Sequence, residues 1–471
     1  MDVIVVGAGP AGVMAAVRAA QLGARTTLVT RDRFGGMAAN DGPVPVRTLA
    51  HAARLIREAQ QLERYGIATS APKLDYAKLL GRVRTVVEGV REHSSLREQV
   101  ERLGVRLHEL AGTARFRDPH TIETTTGLRL RGDRIVLCAG GRSRRLAVPG
   151  SELTASVSDA WSLTEVPSSL LVIGAGMTGL QVASIFHAFG SRVQLVQAGP
   201  RILAAEDEDV SASMAAALRS SGMVVREGFG KIESFEAAPG GIRMYVSKDG
   251  NRESVEAALA VVTIGWETDT TALNLDAAGV EYDSKRFVRV DKYLATSTPH
   301  VFAAGDITGR FMLVPPALHD GYVAATNAVQ GPSLERDDSV NPIGSFTDPE
   351  YARVGMTEAA ARELHDVVVG TVRFDETTRT IIDGRTTGFC KLVVDRATGQ
   401  ILGCHVVGER AVDIVQVVAI AIAGRLRADD LARVPLSYPT YAGIVARAAY
   451  RAARQIGTAE TVSSHPDDLA S

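Results

Sequence analysis

The residues of clearest chemical meaning are the glycines of two short loops. In the first loop, the apolar residues 3–6 lead into Gly7, Gly9 and Gly12, and an alanine-rich segment follows. This spacing is typical of a strand, a tight turn and a helix that bind the pyrophosphate of a dinucleotide. The first glycine permits the turn, the second lets phosphates approach the backbone, and the third lets the helix pack on the strand. The helix N-terminus adds unpaired N–H groups and a partial positive charge.

A second glycine loop repeats the pattern farther along the chain. Residues 170–173 are apolar, Gly174, Gly176 and Gly179 follow, and a helical segment leads to a strand-like run at 192–196. One glycine loop alone is weak evidence, but two complete strand–loop–helix units in one chain make coincidence improbable. The sequence therefore predicts two bound dinucleotides, one for each unit.

The end of the second strand in each unit is where an acid usually holds the ribose hydroxyls. In the first unit Thr30 stands there and Asp32 follows, so Asp32 is either the substitute ligand or a solvated loop residue. In the second unit Gln197 stands there and Arg201 follows. Loss of the carboxylate removes repulsion against a 2′-phosphate, which an arginine can pair with. This pattern favours NADPH, and the alternative is a solvated Arg201 with either NADPH or NADH bound.

The overall composition is that of an ordinary globular protein with more than one domain. The chain has 471 residues, of which 45% are hydrophobic and 23% charged, and its net charge is -2. This balance gives no indication of a nucleic-acid or acidic-membrane partner. No apolar stretch is long enough to span a bilayer, and the N-terminus resembles a strand rather than a signal segment. We therefore expect a cytoplasmic protein.

Cysteine usage gives no indication of a metal or redox motif. Cys138, Cys390 and Cys404 are far apart, lie in strand-like contexts and form no C-x-x-C pair. The expectation is three buried structural thiols. The sequence also lacks a metal-ligand cluster, a P-loop and a nucleophile-elbow motif, so hydrolase and nucleotide-triphosphatase functions have no support.

The elements that must position the loops follow a strand–helix order along the chain. A buried strand ends in Val-Phe-Ala-Ala-Gly-Asp306, which places an acid at the sheet edge where ligands bind. A polar run at 333–341 predicts a linker, and the polar residues 456–471 are predicted to be disordered. Other expected elements are helices at 48–62, 76–103 and 412–423 and strands within 24–29, 105–124, 134–140 and 260–265. The helix at 412–423 is unusually apolar and is expected to be buried in its domain or in an interface.

This order of parts resembles the pyridine nucleotide–disulfide oxidoreductases, which include dihydrolipoamide dehydrogenase, glutathione reductase and mercuric reductase. The first glycine loop resembles the family's FAD site and the second its NAD(P)H site. Residues 298–306 resemble the second FAD motif, whose Asp holds the ribityl chain, and residues 347–355 resemble the start of the dimerisation domain. The resemblance implies an α/β fold with two Rossmann-type dinucleotide-binding domains and a C-terminal α+β dimerisation domain, in a homodimer. The implied segments are an FAD-binding domain at 1–150 and 276–340, an NAD(P)H-binding domain at 151–275, a dimerisation domain at 341–455 and a tail at 456–471.

The redox motif of that family is altered here. The family pattern Gly-Gly-Thr-Cys-x-Asn-x-Gly-Cys-x-Pro-Ser-Lys corresponds to residues 35–47, where Ala38 and Pro43 replace both cysteines. Arg47 replaces the lysine, which in the family lies near the flavin, and Gln181 replaces the glutamate that pairs with it. A dithiol reductase needs a thiolate to attack its substrate and a base to manage the proton. The resemblance therefore implies the family's cofactors, FAD and NADPH or NADH, without its thiol chemistry.

The remaining chemistry is hydride transfer from NAD(P)H to flavin and then directly to a small acceptor. We expect an FAD-dependent NAD(P)H oxidoreductase that reduces a quinone-like or other small acceptor and is not a disulfide reductase. One alternative is a soluble pyridine nucleotide transhydrogenase, and another is a flavin-binding sensor without turnover. Turnover with NADPH and an NAD analogue, without a quinone, would distinguish the transhydrogenase from the quinone-reducing enzyme. Flavin reduction that is slow or stoichiometric with every acceptor would favour the sensor.

Three residues are candidates for catalysis. Tyr438 replaces the histidine of the family's C-terminal His-Pro motif, where Gly443 also replaces the glutamate, and it is either a proton donor opposite the flavin or a packing aromatic. Arg47 carries a permanent charge that would favour anionic reduced flavin, unless it faces solvent at a helix start. His319 is an alternative acid–base group or a surface helix residue. The predicted cofactor-binding residues, besides the six loop glycines, are Asp32, Gly36, Arg47, Gly112, Gly140, Asp306, Ala317, Gln181, Gln197, Arg201 and Gly265.

Overall fold

A computed structural model describes residues 1–92, 95–268 and 270–457. The chain divides into two compact units. The first comprises Met1–Arg145, Ser158–Glu165 and Gly265–Asp338, and the second comprises Leu146–Val157, Val166–Ile264 and the chain from Ser339 onward. Nearly all of the tail predicted to be disordered, residues 458–471, lies outside the described residues. The domain boundaries predicted from the sequence stay a prediction.

The α-helices and strands are numbered in chain order. The helices are α1 (Pro10–Gln21), α2 (Gly36–Asn40), α3 (Pro43–Ala59), α4 (Tyr76–Glu92), α5 (Ser95–Arg102), α6 (Val157–Trp161), α7 (Met177–Ala188), α8 (Glu208–Ser220), α9 (Val314–Gln330), α10 (Glu358–Leu364), α11 (Thr378–Ile382), α12 (Ala411–Ala423), α13 (Ala428–Ala432) and α14 (Gly443–Gln455). The strands are β1 (Asp2–Val6), β2 (Arg25–Val29), β3 (Arg106–His108), β4 (Ala114–Asp118), β5 (Thr121–Thr124), β6 (Arg129–Arg131), β7 (Arg134–Leu137), β8 (Arg142–Ser143), β9 (Ser169–Ile173), β10 (Arg192–Val196), β11 (Val224–Arg226), β12 (Lys231–Ala238), β13 (Gly241–Lys248), β14 (Asn251–Ala257), β15 (Leu259–Val262), β16 (Trp266–Glu267), β17 (Val301–Ala303), β18 (Ile343–Ser345), β19 (Tyr351–Gly355), β20 (Val367–Arg373), β21 (Phe389–Asp395) and β22 (Ile401–Val407).

The main sheet of the first unit carries the first glycine loop at the end of its central strand. Its order is β17-β7-β1-β2-β3, and all neighbouring strands pair in parallel. Parallel strands are covered on both faces, which explains the unbroken apolar run of β1. Helices α1 and α9 pack together so closely that a Cβ added at Gly321 would lie 2.1 Å from the Ala11 carbonyl oxygen. A small antiparallel sheet, β4-β5-β6, belongs to the same unit.

The second unit contains the second glycine loop and the C-terminal domain. The loop follows β9 in a parallel sheet of order β11-β10-β9-β15, and an antiparallel sheet, β12-β13-β14, accompanies it. The C-terminal domain is an antiparallel sheet of order β18-β19-β22-β21-β20. Helices α12 and α14 contribute to the buried core of this domain.

Several predicted features can be compared directly with the structure. The three cysteines are buried, as predicted. The helix expected at 412–423 is α12, and it is buried on one face only, because Ile414 and Val418 lie in the core whereas Ile420 is 73% exposed. The single helix expected at 76–103 corresponds to α4 and α5. Among the described residues, no helix is both long and apolar enough to cross a membrane.

Candidate functional site

The first glycine loop combines two packed glycines with one open glycine. Gly7 has a φ of +104°, and a Cβ at this position would lie 2.1 Å from the Cys138 carbonyl oxygen. A Cβ at Gly12 would lie 1.7 Å from the Gly7 carbonyl oxygen. In contrast, a Cβ at Gly9 would meet no atom within 4 Å, and Gly9 is the N-cap of α1. The fold therefore accounts for Gly7 and Gly12, whereas Gly9 presents an open backbone surface at a helix N-terminus.

The second glycine loop has the same construction. A Cβ at Gly174 would lie 2.7 Å from the Thr263 carbonyl oxygen, and a Cβ at Gly179 would lie 1.9 Å from that of Gly174. Gly176 again meets nothing within 4 Å. The two N-cap glycines agree in φ and ψ, at -77° and -178° for Gly9 and -79° and -178° for Gly176. Neither following helix has an acidic residue in its first turn. Both loops therefore fit the phosphates of a dinucleotide.

Each loop accepts a backbone hydrogen bond from a later segment of the chain. The Ala8 carbonyl accepts a hydrogen bond from the Gly35 N–H at 2.9 Å, and the Ala175 carbonyl accepts one from the Leu203 N–H at 2.9 Å. Gly36 lies next to the first loop, since a Cβ there would be 2.7 Å from the Gly9 Cα. The close approach explains why Gly36 has no side chain.

The residues predicted to contact ribose have clear local partners. The Asp32 carboxylate forms an ion pair with Arg31 at 2.9 Å, and the side chain of Asp32 is 67% exposed. The Gln197 side-chain oxygen accepts a hydrogen bond from the Ala175 N–H at 2.9 Å. Arg201 donates to the Ala204 carbonyl at 3.0 Å. Gln197 thus supports the second glycine loop directly, whereas Arg201 bonds within its own loop.

Two carboxyl groups, one half-buried and one buried, lie near the end of β17, and only one of them was identified from the sequence. Asp306 follows β17, and Asp320 lies in α9, where it is 5% exposed and accepts a hydrogen bond from the Gly305 N–H at 3.4 Å. Burial raises the pKa of Asp306 to about 6, and the Asp320 carboxylate adds to the shift. Burial also raises the pKa of Asp320 to about 6, against the lowering effect of the Gly305 hydrogen bond. Asp320 was missed because its burial depends on the packing of α9, which the sequence around it does not indicate.

The other residues predicted to bind a cofactor differ in whether packing explains them. Gly112 has a φ of +74°, and a Cβ there would lie 2.1 Å from the Thr125 hydroxyl, so packing explains this glycine. Gly140, at a φ of +74°, and Gly265, at +108°, meet nothing within 4 Å. Ala317 is buried in α9. Gly140 and Gly265 are therefore the pair whose surroundings leave space for a ligand.

The candidate catalytic residues lie on different elements. Arg47 is half-buried as the fifth residue of α3, and His319 is exposed on α9. Tyr438 is 49% exposed, and its hydroxyl lies 2.9 Å from the Thr378 hydroxyl. Gln181 lies in α7, and its side-chain nitrogen is 3.4 Å from the Met177 carbonyl oxygen.

The positions of the family's cysteines are occupied by small or cyclic apolar residues. Ala38 lies in α2 and is half-buried, and Pro43 is the exposed first residue of α3. Burial raises the pKa of the Cys138 thiol, which disfavours a thiolate. Cys390 and Cys404 lie in the core of the C-terminal sheet with their sulfurs 3.9 Å apart. All three thiols are therefore buried in this structure.

Comparison with known proteins assigns both glycine loops and the C-terminal domain to one protein family. Residues 1–321 match the family model described as pyridine nucleotide-disulphide oxidoreductase, and residues 341–449 match the model of that family's dimerisation domain. The chain belongs to the pyridine nucleotide-disulphide oxidoreductase family. Membership confirms the predicted fold class, with FAD and NAD domains followed by a C-terminal dimerisation domain. It also means that the protein is an oxidoreductase of a family that uses FAD and NAD(P)H.

Relatives within the pyridine nucleotide-disulphide oxidoreductases cover nearly the whole chain. A mercuric reductase of Lysinibacillus sphaericus is 31% identical over 444 residues, which cover 94% of this chain and 80% of that protein. A dihydrolipoyl dehydrogenase of Vibrio cholerae is 32% identical over 449 residues, covering 93% of each. Among solved structures, the HOCl-induced flavoprotein disulfide reductase RclA from Escherichia coli matches with a TM-score of 0.83 and 24% identity, over 95% of this chain and 99% of that one. The last match shows the fold alone.

Proposed function

We propose that this protein passes a hydride from NAD(P)H through FAD directly to a quinone-like or other small acceptor, without a dithiol relay. The observation that carries the proposal is the coexistence of two equivalent open glycine loops with Ala38 and Pro43 at the redox-motif positions. The loops preserve the means of binding both nucleotides, while the thiol step has lost its nucleophiles. A protein of this kind keeps the flavin-reducing half of the family's reaction and changes the second half.

The first loop would hold FAD and the second NAD(P)H. Gly9 and Gly176 each offer an open backbone at a helix N-terminus for the pyrophosphate. Asp306 would accept hydrogen bonds from the ribityl hydroxyls, as the family motif implies. Bound FAD would supply the redox chemistry, taking a hydride from NAD(P)H so that a quinone then receives two electrons and two protons and becomes a quinol. Gln197, which is neutral, leaves the site without the carboxylate that would repel a 2′-phosphate, and we favour NADPH as the donor.

Side chains of this protein would manage charge and protons around that transfer. Arg47 would stabilise negative charge on reduced flavin, because its guanidinium stays protonated. Tyr438 would donate a proton to the acceptor oxygen, or stack on a planar acceptor, from the second subunit of a homodimer. Its exposed ring and its hydroxyl contact with Thr378 are consistent with a role at a surface-accessible site. His319 is the alternative proton donor.

Anaerobic flavin absorbance tests the proposal. NADPH or NADH should bleach the holoenzyme rapidly, and a quinone should restore the colour rapidly. A dithionite titration should consume two electrons per FAD, because no disulfide takes up a further pair. Consumption of four electrons per FAD would refute the absence of a dithiol relay, and failure of both donors to bleach the flavin would refute the oxidoreductase proposal.

The same experiment separates the alternatives. Rapid bleaching that is reversed by an NAD analogue but by no quinone would indicate transhydrogenation. The double variant Ala38→Cys/Pro43→Cys is the matched control for the titration, since it restores the family's pair at the same positions. It should raise the uptake toward four electrons per FAD if the segment keeps the family's geometry.

A further inference from the structure

The second glycine loop is held by a segment that returns to it after β10. Ala175, between Gly174 and Gly176, donates its N–H to the Gln197 side chain at 2.9 Å. Its carbonyl accepts the Leu203 N–H at 2.9 Å. Both backbone polar groups of this loop residue are therefore fixed by residues 197–203. The position of the loop depends on where that segment is held.

The segment is itself under conformational constraint. Leu203 has a φ of +45° and is 4% exposed, a left-handed conformation that is unfavourable for a residue with a side chain. Such a conformation persists only where the surroundings over-determine it. Neighbouring bonds supply the restraint, since the Ile202 N–H donates to the Glu227 carboxylate at 2.8 Å and its carbonyl accepts from the Ser211 hydroxyl at 2.6 Å.

The chain continues from this segment to Asp207, which is bonded to the C-terminal domain. Asp207 is the N-cap of α8, yet its carboxylate makes no cap bond to that helix. It accepts instead the N–H groups of Glu358 at 2.9 Å and Ala359 at 3.1 Å, in the first turn of α10. These N–H groups have no partner within their own helix. Asp207 thus joins the segment to the start of a helix 151 residues away.

Lys391, on β21, completes the anchor. Its ammonium group lies 3.0 Å from Asp207, 2.8 Å from Asp209 and 3.2 Å from Glu358, and the residue is 1% exposed. Burial alone would lower the pKa of Lys391, but the hydrogen bonds with Asp209 and Asp207 outweigh it and raise the pKa. A buried ammonium with these partners is a fixed positive charge on which the carboxylates converge.

We infer that Lys391 is a positioning residue for the nicotinamide nucleotide, acting through Asp207 on the segment that shapes the second glycine loop. The inference rests on the proposed binding of NAD(P)H at that loop. The two residues are 184 positions apart, and neither belongs to the loop that would touch the ligand. Loss of the lysine leaves the Asp207 carboxylate buried beside Glu358 without its cation. The segment should then shift and change the position of the second glycine loop.

Nucleotide binding to Lys391→Met tests the inference. Calorimetry of the oxidised holoenzyme with NADP⁺ and NAD⁺ measures binding without any flavin reaction. We expect a dissociation constant about tenfold higher for the variant. In anaerobic mixing, the NADPH concentration for half-maximal bleaching should rise by a similar factor, while the limiting bleaching rate changes less than twofold. If the role of Lys391 is purely structural, the substitution should lower the melting temperature but leave the dissociation constant and the NADPH concentration for half-maximal bleaching unchanged. That result would overturn the inference.

Two further variants and a control keep the experiment decisive. Lys391→Met/Asp207→Asn removes both charges and should recover part of the lost affinity. If Lys391→Met does not fold, Asp209→Asn removes one contact from a 48% exposed carboxylate and should weaken NADP⁺ binding a few-fold; unchanged binding there would also overturn the inference. Lys292→Met, which breaks an exposed pair with Glu335, is the control and should bind NADP⁺ normally. Wild type that binds neither nucleotide would refute the proposed function itself before any variant is compared.

Discussion

Replacement of Gly9 by alanine isolates the role of the first glycine loop in flavin binding. The added methyl group would meet no protein atom within 4 Å, and a φ of -77° is ordinary for alanine. The substitution therefore leaves the fold as it is and fills only the open surface in front of the helix N-terminus. Gly176→Ala makes the same change in the second loop, at nearly the same backbone angles.

The expected effects on stability and on binding differ widely in size. Alanine is a poorer N-cap than glycine by about 0.5–1 kcal/mol. It also restricts the unfolded chain, which stabilises the protein by about 0.4–1 kcal/mol, so the apoprotein should change little. A methyl group that displaces the pyrophosphate from two backbone N–H groups removes two charge-assisted hydrogen bonds, each about 1.5–3 kcal/mol. A loss of about 3 kcal/mol raises the dissociation constant of FAD roughly a hundredfold.

Flavin content and titration measure these effects. Gly9→Ala should be purified largely without flavin absorbance, and addition of FAD to the apoprotein should quench its fluorescence only weakly. Gly176→Ala should retain FAD and lose affinity for NADP⁺. Thermal unfolding of the two apoproteins should match that of wild-type apoprotein within a few degrees.

A full complement of tightly bound FAD in Gly9→Ala would refute the reasoning, because the open surface would then not be the phosphate cradle. A Gly9→Ala apoprotein much less stable than the wild-type apoprotein would also refute the reasoning. It would mean that the methyl group contacts protein atoms that the structure places more than 4 Å away. Exchange of the two phenotypes would show that the loops bind the opposite nucleotides.

Three other predictions follow from the geometry. Gly12→Ala places a Cβ 1.7 Å from the Gly7 carbonyl and should destabilise the apoprotein by about 3 kcal/mol or more, measured by urea unfolding; stability equal to that of Gly9→Ala would contradict it. The raised pKa values of Asp306 and Asp320, about 6 against about 4 in the unfolded chain, mean that the folded apoprotein binds more protons between these values. Its stability should therefore fall as pH rises from about 4 to about 6, and Asp320→Asn should flatten the dependence of melting temperature on pH, whereas parallel curves would argue against these shifts. Tyr438→Phe should slow reoxidation by a quinone about tenfold, while ferricyanide, which needs no proton, should react at the wild-type rate; equal rates with the quinone would exclude proton donation by the phenol.

The glycine loops could be predicted from the sequence because their requirements are local. A turn at positive φ, a close helix–strand contact and an open cap are all encoded within six residues, as at Gly7, Gly9 and Gly12. The order of the loops and the later motifs was also enough to identify the fold class, which the family comparison confirms. Element boundaries were less certain, as the helix expected at 48–62 begins at Pro43, which presets the backbone of a first turn.

Other features depend on contacts between distant parts of the chain and left little trace in the sequence. Asp320 is buried because α9 packs on α1 at Gly321, and nothing near Asp320 in the sequence indicates that contact. From the sequence, Lys391 would be predicted to be an ordinary exposed lysine of a strand, because the folded structure is needed to show its ion pair with Asp207. Gln197 was predicted to lie at the cofactor site, and the bond between its side chain and the Ala175 backbone could not be predicted from the sequence. In each case tertiary packing, rather than local pattern, determines the environment of the side chain.

The two nucleotide loops differ in how their supporting contact is made. Gly35 reaches the Ala8 carbonyl at a φ of +92°, which glycine adopts without strain. Leu203 makes the equivalent bond to Ala175 at a φ of +45°, at a cost of about 1–3 kcal/mol. Burial of the leucine side chain offsets this cost, at about 1.5–3 kcal/mol. The supporting bond of the first loop is thus made by an unstrained glycine, whereas that of the second is made by a buried leucine in a strained conformation. This difference would allow a residue of the C-terminal domain such as Lys391 to influence the second loop, which lies in the same compact unit.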